Sequence, residues 1–165
     1  MDKQNPFCLR QISRDIVSGL VYSSDNKLLM GKKDPSKGGV YKEAWHIPGG
    51  GVEDGEDKLV TLRREIFEET NIVIADAEVV LVDDLGRGSS EKILKDSGEK
   101  VWCNMHFYIY SVRLTKSTEQ ITLKPSDELV ELKWFDISEL RNMKLTPPSV
   151  KLFIRLGYLS AEESI

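Results

Sequence analysis

Cysteine is scarce in this sequence, which contains only Cys8 and Cys103 among 165 residues. Two cysteines cannot form the dense disulfide framework of a small secreted domain, so the composition favours a reducing compartment. Long apolar runs are also missing, because none approaches the ~20 residues that cross a bilayer as a helix. The N-terminal segment, MDKQNPFCLRQISRD, lacks the apolar core of a signal peptide. These absences predict a cytoplasmic protein with no membrane partner.

An excess of positive charge is absent as well. The chain has 23 Lys and Arg against 27 Asp and Glu, which gives a formal net charge of -4. Domains that bind nucleic acid are usually basic, so we expect no nucleic acid partner. A small anionic ligand would need local basic groups or a metal ion. The hydrophobic fraction of 40% and the charged fraction of 30% are typical of one globular domain with a substantial core.

Internal repeats and low-complexity tracts are absent, and the apolar pattern changes its period along the chain. Alternating and β-branched runs predict strands, whereas apolar residues three and four positions apart predict helices. We therefore predict a hairpin at 15–33 with its turn at 23–26, a loop at 34–44 and a helix at 56–70. Strands follow at 72–85 and 100–114, with a mobile polar loop at 86–99 between them. A strand then enters a short helix at 131–140, with Ser138 as its cap, and a C-terminal helix covers 146–159. The sum is a mixed α/β fold.

The predicted central helix has an apolar stripe of Leu59, Leu62 and Ile66. On the adjacent side, Glu65, Glu68 and Glu69 lie within ~100° of one another around the axis, so all three can aim at one point. Oxygen ligands of this kind suit hard cations such as Mg²⁺ or Mn²⁺. The alternative is a solvated helix face on which Arg64 pairs with Glu68, and the glutamates alone favour that alternative.

The segment from residue 50 to residue 72 places a fixed pattern around these glutamates. It consists of a Gly, five residues, a Glu, seven residues and then the run REIFEETNI. This pattern resembles the signature box of the Nudix hydrolases, whose final run is Arg-Glu-aliphatic-x-Glu-Glu-x-Gly-aliphatic. The preceding WHIPGG, at 45–50, is also typical of that family. Asn71 stands where the family has Gly, and Asn is the usual substitute at a left-handed helix stop, so we expect activity to survive.

The resemblance implies an α/β/α sandwich with a mixed β-sheet, formed by a single Nudix domain over 1–165. The helix at 56–70 would pack on one side of the sheet and the C-terminal helix on the other, while residues 1–14 would add a strand or an arm. The implied reaction is metal-dependent hydrolysis of a diphosphate linkage in a nucleoside diphosphate joined to another moiety. Nucleoside triphosphates, nucleotide sugars, ADP-ribose and dinucleoside polyphosphates all remain open as small-molecule substrates, and a homodimer also remains open.

The same resemblance assigns roles to individual residues, with Mg²⁺ or Mn²⁺ as the cofactor. The metal ligands would be Glu65, Glu69, Glu68, the Gly50 carbonyl oxygen and, outside the box, Glu128. The catalytic residues would be Glu68, Glu65 and Arg64, where Glu68 is a further ligand or the base and Arg64 orients the glutamates. The substrate would contact Lys33, Glu56 and Gly49. Glu131 and Asp127 are alternatives to Glu128, and each of these carboxylates alone is more often a surface charge.

Several other residues have a structural and a functional interpretation. A ring for base stacking could come from Trp102, Phe107 or Tyr108, although aromatic residues in a strand are more often part of the core. We expect His46, His106 and Cys103 to be structural. Two rival functions remain on the same fold. A sensor that binds nucleotide without turnover would need eroded glutamates or an attached DNA-binding domain, and an isomerase would need a catalytic Cys near the site.

Overall fold

The computed structural model describes residues 8–34, 36, 43–126 and 128–161. Its strands are β1 Arg10–Tyr22, β2 Leu28–Lys33, β3 Trp45–His46, β4 Gly49–Gly51, β5 Glu78–Asp83, β6 Arg87–Ile93, β7 Lys100–Arg113 and β8 Leu129–Phe135. Its α-helices are α1 Lys58–Thr70 and α2 Pro147–Arg155, with short 3-10 helices at Thr118–Gln120 and Ile137–Asn142. Most of the predicted loop at 34–44, the first seven residues of the predicted arm, and Asp127 lie outside the described residues.

The strands form one mixed sheet whose main path has the order β3-β2-β1-β7-β5. β1 and β7 pair in parallel along their whole shared length, from Arg10 opposite Val101 to Tyr22 opposite Arg113. The pairs of β4 with β1, β8 with β2 and β6 with β7 are antiparallel. β1 and β2 form the predicted hairpin, and Asn26 in its turn has a φ of 62°. The N-terminal part of β1 extends the sheet beyond the hairpin.

Alternation along β1 sends side chains to two apolar cores on opposite faces of the sheet. Val17 and Val21 pack in the cluster that contains Leu62 of α1. Leu20 packs in the cluster that contains Phe153 of α2. All four of the aliphatic side chains named here are at most 1% exposed, and each contributes about 1.5–3 kcal/mol by burial. The two helices therefore lie on opposite faces, and the predicted α/β/α sandwich is confirmed.

α1 begins at Lys58 rather than at residue 56. Asp57 is its N-cap, because the Asp57 carboxylate accepts a hydrogen bond from the Leu59 backbone N–H at 2.9 Å. Leu62 and Ile66 are completely buried, as the apolar stripe predicts. Leu59 is 38% exposed, so its assignment to the packed stripe is wrong.

Two other predictions of local structure are wrong. The polar segment at 86–99 is not a loop for most of its length, since β6 occupies Arg87–Ile93 and pairs with β7. β6 is an edge strand that is largely exposed on both faces, so it has the polar composition of a loop and no apolar alternation. The 3-10 helix after β8 is capped by Asp136 rather than Ser138, and the Asp136 N–H donates to the Glu139 carboxylate at 2.6 Å.

The C-terminal helix has the predicted ends. Pro147 and Pro148 are the first two residues of α2. A backbone N–H at these positions would have no partner in the helix, so proline loses no hydrogen bond there. Gly157 follows the helix with a φ of 78°. Neither α1 nor α2, the two α-helices of the described residues, is long and apolar enough to cross a bilayer.

Candidate active site

The glycine triplet before α1 forms a strand, β4. It pairs antiparallel with β1, with Gly50 opposite Val17. A Cβ at Gly50 would lie 2.3 Å from Cδ of Glu65, and a Cβ at Gly49 would lie 2.2 Å from the Val17 carbonyl oxygen. Neither position has space for a side chain. The absence of side chains therefore brings the β4 backbone directly against a carboxylate of α1.

Glu69 is the most buried carboxylate of the box, with 4% of its surface exposed. It accepts a hydrogen bond from the Gly49 backbone N–H at 3.0 Å. Burial, together with the negative charges of Glu65 and Glu128, raises the pKa of Glu69 to about 8. The Gly49 N–H and the Lys33 ammonium oppose that shift. Such a buried carboxylate, crowded by others, gains from a nearby cation.

Arg64 connects the remaining carboxylates of the box. Its guanidinium holds Glu56 through two hydrogen bonds, both of 2.9 Å, and donates to Glu65 at 3.0 Å and to Glu68 at 3.3 Å. Thr61, which is completely buried, donates to Glu56 at 2.5 Å. The hydrogen bonds from Arg64 and Thr61 lower the pKa of Glu56 to about 2. Glu56 is thus fixed as a carboxylate that orients Arg64.

The three glutamates differ in their surroundings. Glu65 lies against Gly50 and Glu69 against Gly49, whereas the Glu68 side chain is 43% exposed. Within the described ranges, no group of three or more His, Cys, Asp or Glu side chains is arranged to hold a metal ion. Ligation of one metal ion by all three glutamates therefore stays a prediction, and in this structure Glu65 and Glu68 both accept from Nη1 of Arg64. The pair Glu65 and Glu69 at β4 still offers the oxygen donors that Mg²⁺ or Mn²⁺ prefers.

The C-terminal end of α1 stops as predicted. Asn71 has a φ of 66°, the left-handed conformation, and its N–H donates to the Phe67 carbonyl oxygen at 2.9 Å. The segment before β8 then docks on the last exposed carbonyls of α1. The Ser126 N–H donates to the Glu69 carbonyl oxygen at 3.3 Å, and the Ser126 hydroxyl donates to the Glu68 carbonyl oxygen. This docking brings Glu128 beside the box.

A cleft of about 700 Å³ connects the box with the α2 side of the sheet. The predicted site residues that line it are Lys33, Gly49, Gly50, Glu69 and Glu128. Lys33 and Glu128 form an ion pair, with Nζ and Oε2 separated by 3.9 Å. Glu56, Arg64, Glu65 and Glu68 are not among the lining residues and lie behind or beside the cleft. Glu131 pairs with Lys32 at 3.9 Å and does not line it either.

His106 and the buried cysteine have the environments of structural residues, whereas Nε2 of His46 is buried without a hydrogen-bond partner among the described residues. His46 lines the cleft, and its Nδ1 donates to the Ile47 carbonyl oxygen at 2.9 Å, because a carbonyl can only accept. Burial lowers the pKa of His46, so the ring is neutral. His106 bonds the Asp84 carbonyl oxygen and the Tyr108 hydroxyl. Cys103 is buried and free, and Cys8 is exposed and free.

Sequence reasoning missed several residues that shape this site. Thr61 and Ser126 act through hydrogen bonds to Glu56 and to the end of α1, and nothing in their spacing indicates these bonds. Arg155 of α2 lines the cleft and is held by Asp83 of β5, which is 72 residues away in the chain. No periodic pattern connects residues so far apart, so only the folded sheet could show that pair.

Comparisons with known proteins agree with this geometry. The family model described as the NUDIX domain matches residues 13–156. An RNA pyrophosphohydrolase of Pelagibacter ubique is 28% identical over 137 residues, which are 79% of this chain and 80% of that protein. The MutT protein from Methanosarcina mazei Go1 superposes with a TM-score of 0.65 at 20% identity, covering 90% of this chain and 96% of its own. The E. coli dihydroneopterin triphosphate pyrophosphohydrolase gives a TM-score of 0.59 at 15% identity, covering 86% and 92%.

The two solved structures establish the fold, and the family match extends over most of the chain, including the whole box from residue 50 to residue 72. The chain therefore belongs to the NUDIX domain family and is a Nudix hydrolase.

Proposed function

We propose that this protein is a Mg²⁺- or Mn²⁺-dependent pyrophosphohydrolase that cleaves a diphosphate linkage in a nucleoside diphosphate joined to a further moiety. One observation carries the proposal. Glu65 and Glu69 lie against Gly50 and Gly49 of β4, where no side chain intervenes between the carboxylates and the strand. A buried carboxylate with a pKa of about 8 is an unfavourable element of a fold unless a cation offsets its charge.

The residues divide into those that hold the metal ion and those that hold the substrate. Glu65, Glu69 and the Gly50 carbonyl oxygen would hold the ion, with Glu68 and Glu128 as additional carboxylates at the rim. When bound, the ion would neutralise the diphosphate and lower the pKa of water. Lys33 lines the cleft and would attract the phosphates, and the Gly49 backbone would lie beside them.

The remaining polar groups position the reacting ones. Two hydrogen bonds fix the Arg64 guanidinium on Glu56, so Arg64 keeps the Glu65 carboxylate turned toward β4. Glu68 is solvent-accessible and paired only at 3.3 Å, which leaves it available to accept a proton from water. Arg64 is accordingly a positioning residue, whereas Glu68 is the proposed general base or a further ligand.

RNA is a second candidate substrate. The similar protein of Pelagibacter ubique carries the name RNA pyrophosphohydrolase, and it aligns with most of this chain. The expectation of no nucleic acid partner came from a net charge of -4, which argues against binding along an RNA backbone. The net charge does not argue against binding of one phosphorylated RNA end, because only that end would have to enter the cleft.

The silent sensor is the weaker alternative, since every glutamate of the box is present, with Glu56, Glu65 and Glu68 oriented by Arg64 and Glu69 by the Gly49 N–H. We also propose a cytoplasmic location, which agrees with two free thiols.

Release of phosphate or pyrophosphate in the presence of Mg²⁺ tests the proposed reaction. The panel would contain nucleoside triphosphates, nucleotide sugars, ADP-ribose, dinucleoside polyphosphates and an RNA oligonucleotide with a 5′-triphosphate. We expect Glu69→Gln to lower kcat by at least about 100-fold, as loss of one electrostatic stabiliser often does. Glu91→Gln, a change in a carboxylate of β6 that pairs with Lys100, is the matched control and should retain activity. Equal background release by wild type and Glu69→Gln on every substrate would favour the sensor.

A further inference from the structure

Arg14 of β1 lies directly on the glycine strand. A Cβ at Gly51 would lie 2.2 Å from both Cζ and Nε of Arg14, so the guanidinium occupies the space that a side chain at position 51 would fill. Gly51 pairs with Ile16, and directly opposed residues of an antiparallel pair point to the same face of the sheet. Because Ile16 lines the cleft, the guanidinium lies on the face of β4 that belongs to the cleft.

The opposite face of β4 has the opposite charge. Glu65 lies against Gly50, the neighbouring residue of the strand, and successive residues of a strand point to opposite faces. The glycine strand is thus held between a carboxylate of α1 and a guanidinium of β1. The carboxylate belongs to the proposed metal site, whereas the guanidinium has no role in the site described so far.

Most of the hydrogen-bonding capacity of Arg14 is unused. A guanidinium has five N–H donors, yet the only acceptor for Arg14 among the described residues is Oε1 of Glu53, at 3.3 Å. The Glu53 side chain is 67% exposed, and an exposed ion pair of this kind contributes little to stability. By contrast, Arg64 donates four hydrogen bonds to carboxylates and Arg155 donates two. Pairing with Glu53 therefore does not explain why a guanidinium is held against the strand.

A second cation lies toward the other end of the glycine strand. Lys33 lines the cleft together with Gly49, and its ammonium is close enough to Glu69 to oppose the raised pKa of that residue. Glu69 in turn accepts from the Gly49 N–H. About 7 Å of extended chain separates Gly49 from Gly51, and no side chain of β4 lies between them. The strand therefore presents a strip of backbone with a positive charge toward each end.

This strip is longer than a diphosphate. Two phosphoryl groups placed at Gly49 and Gly50, where Glu69 and Glu65 would hold the metal ion, end before the Arg14 guanidinium. A third phosphoryl group in the same chain would lie at Gly51. The planar fork of a guanidinium can donate to two oxygens of one phosphoryl group at once, which an ammonium cannot do in the same geometry.

We propose that Arg14 binds a third phosphoryl group of the substrate, in line with the diphosphate, and that Gly51 gives the guanidinium its place. This inference rests on the proposed function, because the position of the diphosphate sets where the third group lies. It divides the substrates that the reaction leaves open. Nucleoside triphosphates, RNA with a 5′-triphosphate and dinucleoside polyphosphates have this group, whereas ADP-ribose and nucleotide sugars lack it.

Equilibrium binding measured by calorimetry with Mg²⁺ present tests the inference without turnover. The probes are methylenediphosphonate and bis(phosphonomethyl)phosphinate, which have two and three phosphoryl groups joined by carbon bridges that cannot be hydrolysed. The wild type should bind the longer probe at least about 10-fold more tightly. We expect Arg14→Met to reduce the ratio of the two Kd values about 10- to 150-fold, the range for loss of a hydrogen bond between charged groups. The affinity for methylenediphosphonate should stay close to that of the wild type.

Arg10→Met is the matched control. Arg10 lies on the same face of β1 four residues away and pairs with Glu99, so this variant removes the same charge from the same strand. It should retain the wild-type ratio.

Gly51→Ala tests the position of the guanidinium without removing its charge. The φ of Gly51 is not positive, so alanine can adopt this backbone, but its Cβ must displace Arg14. The variant should reduce the ratio, and it should have no further effect on the ratio in an Arg14→Met background. Thermal unfolding would show that each variant is folded at the temperature of the titration.

Three results would overturn the inference: a wild type that binds both probes equally, a ratio that Arg14→Met leaves unchanged, or a ratio that Arg10→Met lowers as much as Arg14→Met does. Failure of the proposed function would look different. The wild type would then hydrolyse no member of the substrate panel, while the ratio that depends on Arg14 persisted.

Discussion

The Glu69 carboxylate accepts a hydrogen bond from the backbone N–H of Gly49 at 3.0 Å, so the last turn of α1 is connected to β4 through a nearly buried acid. One N–H bond does not replace the hydration that this carboxylate loses. The negative charges of Glu65 and Glu128 add to the cost of ionisation. The charged Glu69 that would bind a metal ion therefore lowers the stability of the fold, and this cost can be measured.

The pKa of about 8 at Glu69 makes the stability of the metal-free protein dependent on pH. The ordinary value is 4.5, so between pH 4.5 and 8 the folded state retains a proton that the unfolded state has lost. The free energy of unfolding should then fall as pH rises through this window, by on the order of 5 kcal/mol. Glu69→Gln cannot ionise and should lack this component.

Urea unfolding in EDTA at pH 5, 6.5 and 8 would measure both proteins. The difference between them isolates Glu69 from other groups that titrate in the window, including His46, whose pKa is lowered by burial. Parallel curves for wild type and Glu69→Gln would contradict the assignment of a raised pKa to Glu69.

Mg²⁺ should raise the melting temperature of the wild type. Three glutamates lie in the last two turns of α1 and no basic residue lies in the last turn, so the helix dipole and their mutual repulsion both disfavour them. At 100 times Kd the ion would add about 2.7 kcal/mol, which is about 5–10 °C for a domain of this size. Glu65→Gln should blunt the rise.

Differential scanning fluorimetry across a Mg²⁺ titration would compare wild type, Glu65→Gln and the control Glu91→Gln. The control should show the full rise. An equal rise in Glu65→Gln would exclude Glu65 from the metal site and leave Glu69 without its proposed partner.

Asn71 should be replaceable by Gly but not by Ala. Its φ of 66° costs a residue with a Cβ about 1–2 kcal/mol, a cost that Asn reduces and Gly avoids. We expect Asn71→Ala to lose about 1 kcal/mol of stability and Asn71→Gly to stay within about 1 kcal/mol of wild type, because Gly also loses entropy on folding. Thermal unfolding would measure both. At temperatures below their melting temperatures, both variants should have the kcat of the wild type. An Asn71→Ala variant as stable as wild type would contradict the role of Asn71 as a left-handed helix stop.

The sequence predicted the box, the central helix and its stop because these depend on residues close together in the chain. Gly50, Glu56 and Asn71 occupy fixed spacings, and Leu62 and Ile66 follow the helical period. The direction of each carboxylate could not be predicted in this way. Arg64 contacts Glu56, Glu65 and Glu68 at once, and only the packed rotamers decide which of them faces β4.

Edge strands and long-range residue pairs could not be predicted from the sequence for a different reason. β6 has no apolar face because both of its faces are largely exposed, so its polar residues are indistinguishable from those of a loop. The cleft wall formed by β6, β7 and α2 depends on pairings that connect distant segments. Phe107 was therefore one of three equivalent aromatic candidates until the register of β7 assigned it to the cleft.

The Asp83–Arg155 pair should stabilise the fold by connecting β5 to α2. Two hydrogen bonds of 2.8 Å join the guanidinium to a carboxylate whose side chain is 5% exposed. Removing one partner from such a buried pair costs about 3–5 kcal/mol, and the 30% exposure of Arg155 reduces this to about 2–3 kcal/mol for Asp83→Asn. Asp83→Asn, Arg155→Gln and the double variant form a mutant cycle whose coupling energy urea unfolding would measure at pH 7.

The same pair should respond to acid. Arg155 lowers the pKa of Asp83 below its ordinary 3.8, so the stabilisation is fully present above pH 3.8 and is lost as pH falls through the lowered value. The unfolding free energy of the wild type should therefore converge on that of Asp83→Asn in acid, while the difference at pH 7 persists. A charge interaction must disappear once its carboxylate is protonated. The pair would therefore contribute by packing alone if the difference between wild type and Asp83→Asn did not shrink in acid. The same conclusion would follow if the effects of the two single variants were additive at pH 7.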